Sequence, residues 1–204
     1  MMSAKSIAIV ILTWNGLELT RRCLTSLQLA TLPANVHVIV VDNGSHDGTP
    51  DYVRGLSGVT LIENGRNLGY AKAVNIGIRA AASDADIVLL NNDVELIEPD
   101  WLGRLATTAN TDPKLGVVGV KIVRDDGTLQ HCGAYLPIDT MWGQQLAGGE
   151  VDIGQYPGLH ECESVVFACA YIKRATIEAV GLLSEDFFAY FEDTDYCMRT
   201  SLAG

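Results

Sequence analysis

The apolar run Ile87-Val88-Leu89-Leu90 ends abruptly in Asn91-Asn92-Asp93, three side chains that carry oxygens. Asn91 and Asp93 stand two residues apart, a spacing that lets both address one ligand from a single tight turn. Oxygen donors suit a hard divalent cation such as Mg2+ or Mn2+, which needs only one or two protein carboxylates when phosphates and water complete its shell. A polar turn before the next helix, with Asp100 behind Pro99 favoured by the dipole, accounts for the same residues. Asp42 follows a second apolar run, Val38-Ile39-Val40-Val41, and could bond a nucleobase or ribose. The residues after it, Asn43-Gly44-Ser45 and Asp47-Gly48-Thr49, also satisfy ordinary turn chemistry. Trp14, between Thr13 and Asn15 at the end of the run 7–12, offers a ring on which a base could stack.

A second acidic cluster, Glu192-Asp193 with Asp195, follows Phe187-Phe188-Ala189-Tyr190-Phe191. Aromatic neighbours desolvate a carboxylate and raise its pKa, which favours a general base. A helix N-terminus, whose dipole stabilises acids, is the alternative. His37, His46, His131 and His160 are too scattered for a metal site and read as satisfied surface or loop histidines. The chain contains no G-x-G-x-x-G and no G-x-x-x-x-G-K-[ST], so a glycine-rich phosphate cradle is lacking, and a metal at Asp93 would fill that role.

These residues must be held by elements the pattern supplies. Strands are expected at 7–12, 36–41, 59–62 and 87–90, short apolar runs of the kind buried on both faces of a parallel sheet. Helices are expected between them: 16–30, with Leu17, Leu24 and Leu27 on one face; a short one opening at Asp47-Gly48-Thr49-Pro50; and 69–82, with Val74, Gly77, Ile78 and Ala81. Such alternation implies right-handed crossovers, and ligands then bind beyond the carboxyl ends of the strands. Three strand ends could thus share one rim. The second half is less regular. A helix at 101–109 precedes a hairpin of 115–123 and 128–135 around Asp125-Asp126-Gly127, then a long glycine-rich loop at 137–158, a buried strand at 165–172, a helix at 175–180 and a last helix from Glu192.

At 204 residues and 48% hydrophobic, the chain suits one globular domain. A formal net charge of −11 opposes nucleic acid and anionic lipid as partners. No run approaches the roughly 18 apolar residues of a membrane span, and the run after Lys5 is too short for a signal peptide. Five cysteines without a C-x-x-C pair fit a reducing cytoplasm.

Taken in order, Thr13-Trp14-Asn15, Asp42-Asn43-Gly44-Ser45, Asn67-Leu68-Gly69 with Asn75, Asn91-Asn92-Asp93 and Phe191-Glu192-Asp193 with Asp195 resemble the inverting glycosyltransferases of family 2, particularly their rhamnosyltransferase-like branch. The resemblance covers residues 7 to about 200. It implies a GT-A fold, a Rossmann-like α/β arrangement with a mostly parallel sheet flanked by helices, in which 1–98 form the nucleotide-sugar-binding half and 99–204 a less regular acceptor-side half. Thr13, Trp14, Asn15 and Asp42 would then hold base and ribose, and Asn67 and Lys72 would lie near the donor. Asn91 and Asp93 stand at the ends of the family's D-x-D motif and would serve the cation, Asp93 by coordination and Asn91 there or at the ribose. Asp193 would be the base, and Glu192 would orient acceptor or base. Leu129-Gln130-His131-Cys132-Gly133 resembles a segment recurrent in the same branch, without an assigned role.

The resemblance implies a dTDP- or UDP-sugar donor, a saccharide or lipid-linked acceptor, and a place in cell-surface polysaccharide or glycolipid synthesis, with any membrane association supplied by the acceptor or a further segment. Relatives normally continue past the Glu-Asp helix, so a C-terminal part is expected to be missing. Asn91 also replaces the usual leading Asp, which removes a charge. A non-catalytic nucleotide-sugar-binding domain and a sugar nucleotidyltransferase are the rival readings; the second lacks its G-x-G-T-R loop.

Overall fold

The computed structural model describes residues 5–137 and 143–204. Its first half alternates strand and helix as expected: β1 (Ile7–Thr13), α1 (Leu17–Leu29), β2 (Val36–Asp42), α2 (Thr49–Arg54), β3 (Val59–Glu63), α3 (Tyr70–Ala80) and β4 (Asp86–Asn91). The second half holds α4 (Trp101–Ala109), β5 (Val117–Gly119), β6 (Ile122–Val123), β7 (Leu129–His131), β8 (Ala134–Tyr135), β9 (Gln144–Gln145), β10 (Cys169–Ile172), α5 (Arg174–Val180) and α6 (Glu192–Leu202). One six-stranded sheet runs β3-β2-β1-β4-β10-β5. The four strands from β3 to β4 are parallel, and β10 is antiparallel to both its neighbours.

The apolar runs are continuous because both sheet faces are covered. On β1, Ala8 and Val10 join one cluster with Val74 and Ile78 of α3, whereas Ile7, Ile9 and Ile11 join the other with Leu24, Leu27 and Leu102 from α1 and α4. Gly77 is what lets α3 lie so near the sheet, since a Cβ there would stand 2.4 Å from Cγ1 of Val10 and 3.0 Å from Cγ2 of Val41. Register then aligns the strand ends: Thr13 lies opposite Asp42, and Leu12 opposite Asn91.

Two expectations are corrected. The hairpin survives only as β6 against β7, with Ile122 opposite His131 and Val123 opposite Leu129, because the preceding stretch leaves to become β5 at the sheet edge. Burial of Val118 in the core outweighs local pairing there. The strand expected at 165–172 is confined to Cys169–Ile172, since the backbone of 164–168 is taken up by hydrogen bonds to the Tyr70 and His131 side chains, to Ala134 of β8 and to Asn91 at the end of β4. Part of the loop expected at 137–158 lies outside the described residues; the described part contains β9, paired with β8. Among the described residues, no helix is long and apolar enough to cross a membrane.

Candidate functional site

The register brings the strand ends of β2, β1 and β4 to one rim. At its first corner Asp42 is 2% exposed, and its Oδ2 accepts the backbone N–H of Gly44 (3.0 Å) and Ser45 (2.9 Å). Its Oδ1 is buried with no partner. Buried carboxylate oxygens are costly to leave unpaired, so this orphan at the end of β2 has an acceptor capacity that the fold itself does not meet. Gly44 is obligatory in this turn: its φ is +85°, and a Cβ would fall 2.5 Å from Cα of Arg66. Asn43 folds the 64–69 loop over the same corner, donating from Nδ2 to Asn67 Oδ1 (2.9 Å) and the Gly69 carbonyl (3.2 Å) and accepting the Leu68 N–H (3.0 Å).

Beside it, Trp14 is 57% exposed at the end of β1. Thr13 is buried with its hydroxyl 3.0 Å from that of Thr20. Asn15 braces the neighbouring loop, its N–H donating to Ser45 Oγ (2.7 Å) and its Oδ1 accepting the His46 N–H (3.0 Å). At the β4 corner the middle residue of the triplet turns inward, Asn92 Nδ2 donating to Thr20 Oγ1 (2.9 Å). Asn91 is half-buried and Asp93 exposed. Burial, then the negative charge of Asp93 and Glu95, pushes the Cys23 thiol up to about 12. Among the described residues no group of three or more His, Cys, Asp or Glu side chains is placed to hold a metal. Asn91 and Asp93 contribute one amide and one carboxylate at the β4 end, a sparse oxygen set of the kind that suits a hard cation only when phosphate and water complete its shell.

The second acidic cluster lies within electrostatic reach of the same Tyr70 ring as the strand-end acid. Burial, and then the charges of Glu192, Asp193, Asp93 and Cys169, raise the Tyr70 phenol well above its usual pKa, so one ring at the start of α3 feels both the strand-end acid and the pair on α6. Tyr70 is also where two loops meet: its N–H donates to the Phe188 carbonyl (2.6 Å), and a Cβ on Gly69 (φ +84°) would stand 2.5 Å from that same oxygen. Tyr190 and Phe191, with φ of 69° and 68°, turn the chain into α6 through two left-handed residues, and Tyr190 is 81% exposed. Glu192 is 6% exposed, with Oε2 unpartnered, and burial plus the neighbouring Asp193 charge raise its pKa to about 7. Asp193 is half-buried, and its Oδ1 accepts the Thr194 N–H (2.6 Å). The desolvated carboxylate expected behind the aromatic segment is therefore Glu192, while Asp193 keeps access to solvent.

Of the residues singled out in the sequence, Thr13, Trp14, Asn15, Asp42, Asn91 and Asp93 lie along adjacent strand ends, with Asn67 braced against them through Asn43. Lys72 is exposed on the first turn of α3. Tyr70 had no sequence signal, and Asn43 and Asn92, named only within their motifs, prove to brace the site through contacts distant in sequence. His131, expected at the surface or in a loop, is buried on β7.

The family model described as Glycosyl transferase family 2 matches residues 8–175. The chain is 32% identical over 218 residues to the uncharacterized protein y4gI of Sinorhizobium fredii, covering 97% of this chain and 23% of that protein. It is 29% identical over 227 residues to the N-acetylglucosaminyl-diphospho-decaprenol L-rhamnosyltransferase of Mycobacterium tuberculosis, covering 96% of this chain and 70% of that one. The mannosyltransferase PcManGT of Pyrobaculum calidifontis, solved with GDP-Man and Mn2+, shares the fold with a TM-score of 0.73 at 21% identity, over 100% of this chain and 54% of that chain.

Proposed function

Because the chain belongs to glycosyl transferase family 2, we propose that it moves a sugar from a nucleoside-diphosphate sugar to an acceptor hydroxyl with inversion at the anomeric carbon. The observation that carries this reading is the buried, unpartnered Oδ1 of Asp42 beside exposed Trp14, on the rim that also bears Asp93. A ring to stack on and an acceptor with nothing yet to accept suit a nucleobase or ribose. Thr13, Asn15 and Asn67 hold the surrounding loops, and Lys72 stands at the donor side. Asp93, with Asn91, would hold Mg2+ or Mn2+; when bound, such an ion offsets the charge of the departing diphosphate.

On the acceptor side, Asp193 takes the proton from the attacking hydroxyl, because it reaches solvent while Glu192 does not. Glu192, which holds its proton to about pH 7, orients base or acceptor. A dTDP-sugar such as dTDP-rhamnose, or a UDP-sugar, is the donor we favour, and a saccharide or lipid-linked acceptor the partner. The mycobacterial relative's name supports a rhamnosyl donor and a lipid-diphosphate acceptor. The role then lies in cell-surface polysaccharide or glycolipid synthesis at the cytoplasmic face, with residues 1–98 as donor half and 99–204 as acceptor half.

The test is thermal unfolding with UDP, dTDP and GDP, each with and without Mn2+. A ligand present at 100 times its Kd stabilises the native state by about 2.7 kcal/mol. A metal-dependent shift with one base supports the donor site; no shift with any pair overturns it. Asp193→Asn should keep nucleotide binding and lose transfer, and unchanged turnover would exclude Asp193 as the base.

A further inference from the structure

His131 is 1% exposed and joins three parts of the chain. Its Nε2 lies 3.2 Å from the backbone N–H of Gly133 and 3.3 Å from that of Val166, and its Nδ1 meets Oε1 of Gln145 on β9. A carboxamide oxygen only accepts, so Nδ1 carries the proton and Nε2 presents its lone pair to the two amides. The adjacent sequence serves this geometry. Gly133, with φ of +115°, turns its own N–H back onto the ring two residues before it, and a Cβ there would stand 3.0 Å from that of Cys162.

Val166 sits in the middle of 164–168, the stretch that never becomes strand. Three of its neighbours, Ser164, Phe167 and Ala168, tie this segment to other elements. The Ser164 carbonyl accepts the Ala134 N–H (2.9 Å), and the Phe167 carbonyl accepts the Tyr70 hydroxyl (3.0 Å). The Phe167 ring meets Tyr196 of α6 edge-on at 5.7 Å, and the Ala168 carbonyl accepts the Asn91 N–H (2.8 Å). One short segment thus spans from the helix that starts with Glu192-Asp193 to the strand end that carries Asn91. Its central amide is held by an imidazole.

Resting on the glycosyl-transfer reading above, we propose that His131 is a positioning residue: by clasping Val166 it fixes segment 164–168, and so sets the helix of Asp193 against the strand end of Asn91. The clasp requires the neutral ring, because a proton on Nε2 would face two N–H donors. Burial lowers the His131 pKa and His160 adds to this, while the Gln145 bond and the Asp193 charge oppose it.

The test compares His131→Phe, which keeps a ring but has no acceptor, with His131→Gln, which returns one. Residue-resolved amide exchange should accelerate at Val166 by about tenfold or more in the Phe variant, as expected for a lost buried hydrogen bond. The acceleration should extend to the amides of Asn91 and Thr194, and the Gln variant should reverse much of it at all three. A ring that only filled space would leave exchange unchanged in the Phe variant; a purely local clasp would loosen Val166 alone. Either result overturns the proposal, as does equal behaviour of the two variants. Binding of UDP and dTDP with Mn2+ by the wild-type chain is measured in parallel. Its absence would bring down the glycosyl-transfer reading itself, a failure separate from that of the clasp.

Discussion

Replacing Glu192 by Gln should make the protein more stable in a way that grows with pH. The carboxyl is 6% exposed with one oxygen unpartnered, and its pKa rises from 4.5 to about 7. The unfolded chain releases this proton near pH 4.5, but the folded chain keeps it until about 7. Between those values the native state binds more protons than the unfolded state, so stability falls as pH rises and levels off above 7. At 1.36 kcal/mol per unit, the whole shift is worth about 3 kcal/mol, of which about 2 kcal/mol falls between pH 5.5 and 8. Glutamine has no such proton to release. Urea unfolding of both proteins at pH 5.5 and 8 gives the difference, because the titrating groups away from Glu192 are common to the two and cancel. An advantage of the variant that widens by about 2 kcal/mol toward pH 8 is expected. Parallel pH curves would show that Glu192 is ionised in the fold at little cost, and would refute the desolvation argument and the role built on it.

Asp42→Asn should lower nucleotide affinity by about tenfold or more, since it puts an N–H2 or a shifted oxygen where the orphan acceptor now sits; titration calorimetry with UDP and dTDP reads this. Asp93→Ala should remove the Mn2+-dependent part of that affinity and leave the metal-free part alone, as measured by the same titrations. Gly69→Ala combines a φ of +84° with a Cβ 2.5 Å from the Phe188 carbonyl. It should cost about 1–3 kcal/mol by urea unfolding.

The first half of the fold was legible because β1 and β4 are almost wholly apolar runs between turn residues, β2 ends in one, and α1 and α3 show their buried faces in the spacing of Leu24 and Leu27 or Val74 and Ile78. The rim was legible for the same reason, since Asp42 and Asn91 each end such a run. The second half was harder. Val117-Val118 and Val165-Val166 read as strand from β-branched residues, but only contacts far along the chain decide that the first pair joins the main sheet and the second is held by His131. Nor could spacing separate Glu192 from Asp193. Adjacent carboxylates look alike in sequence, and only the way α6 is buried distinguishes the desolvated one.

The order of strands also bears on how such a protein can diversify. Because β1 lies between β2 and β4, Asp42 and Asn91 occupy separate strand ends, and separate side chains support them: Asn43 ties down the 64–69 loop at one, whereas Asn92 anchors to Thr20 at the other. Under the donor site proposed above, changes accumulating in 42–47 and 64–69 would retune which base is accepted while the turn at 91–93 is inherited intact. Exchanging those two loops between relatives would then give chimaeras with altered nucleotide preference on an unaltered 91–93 turn.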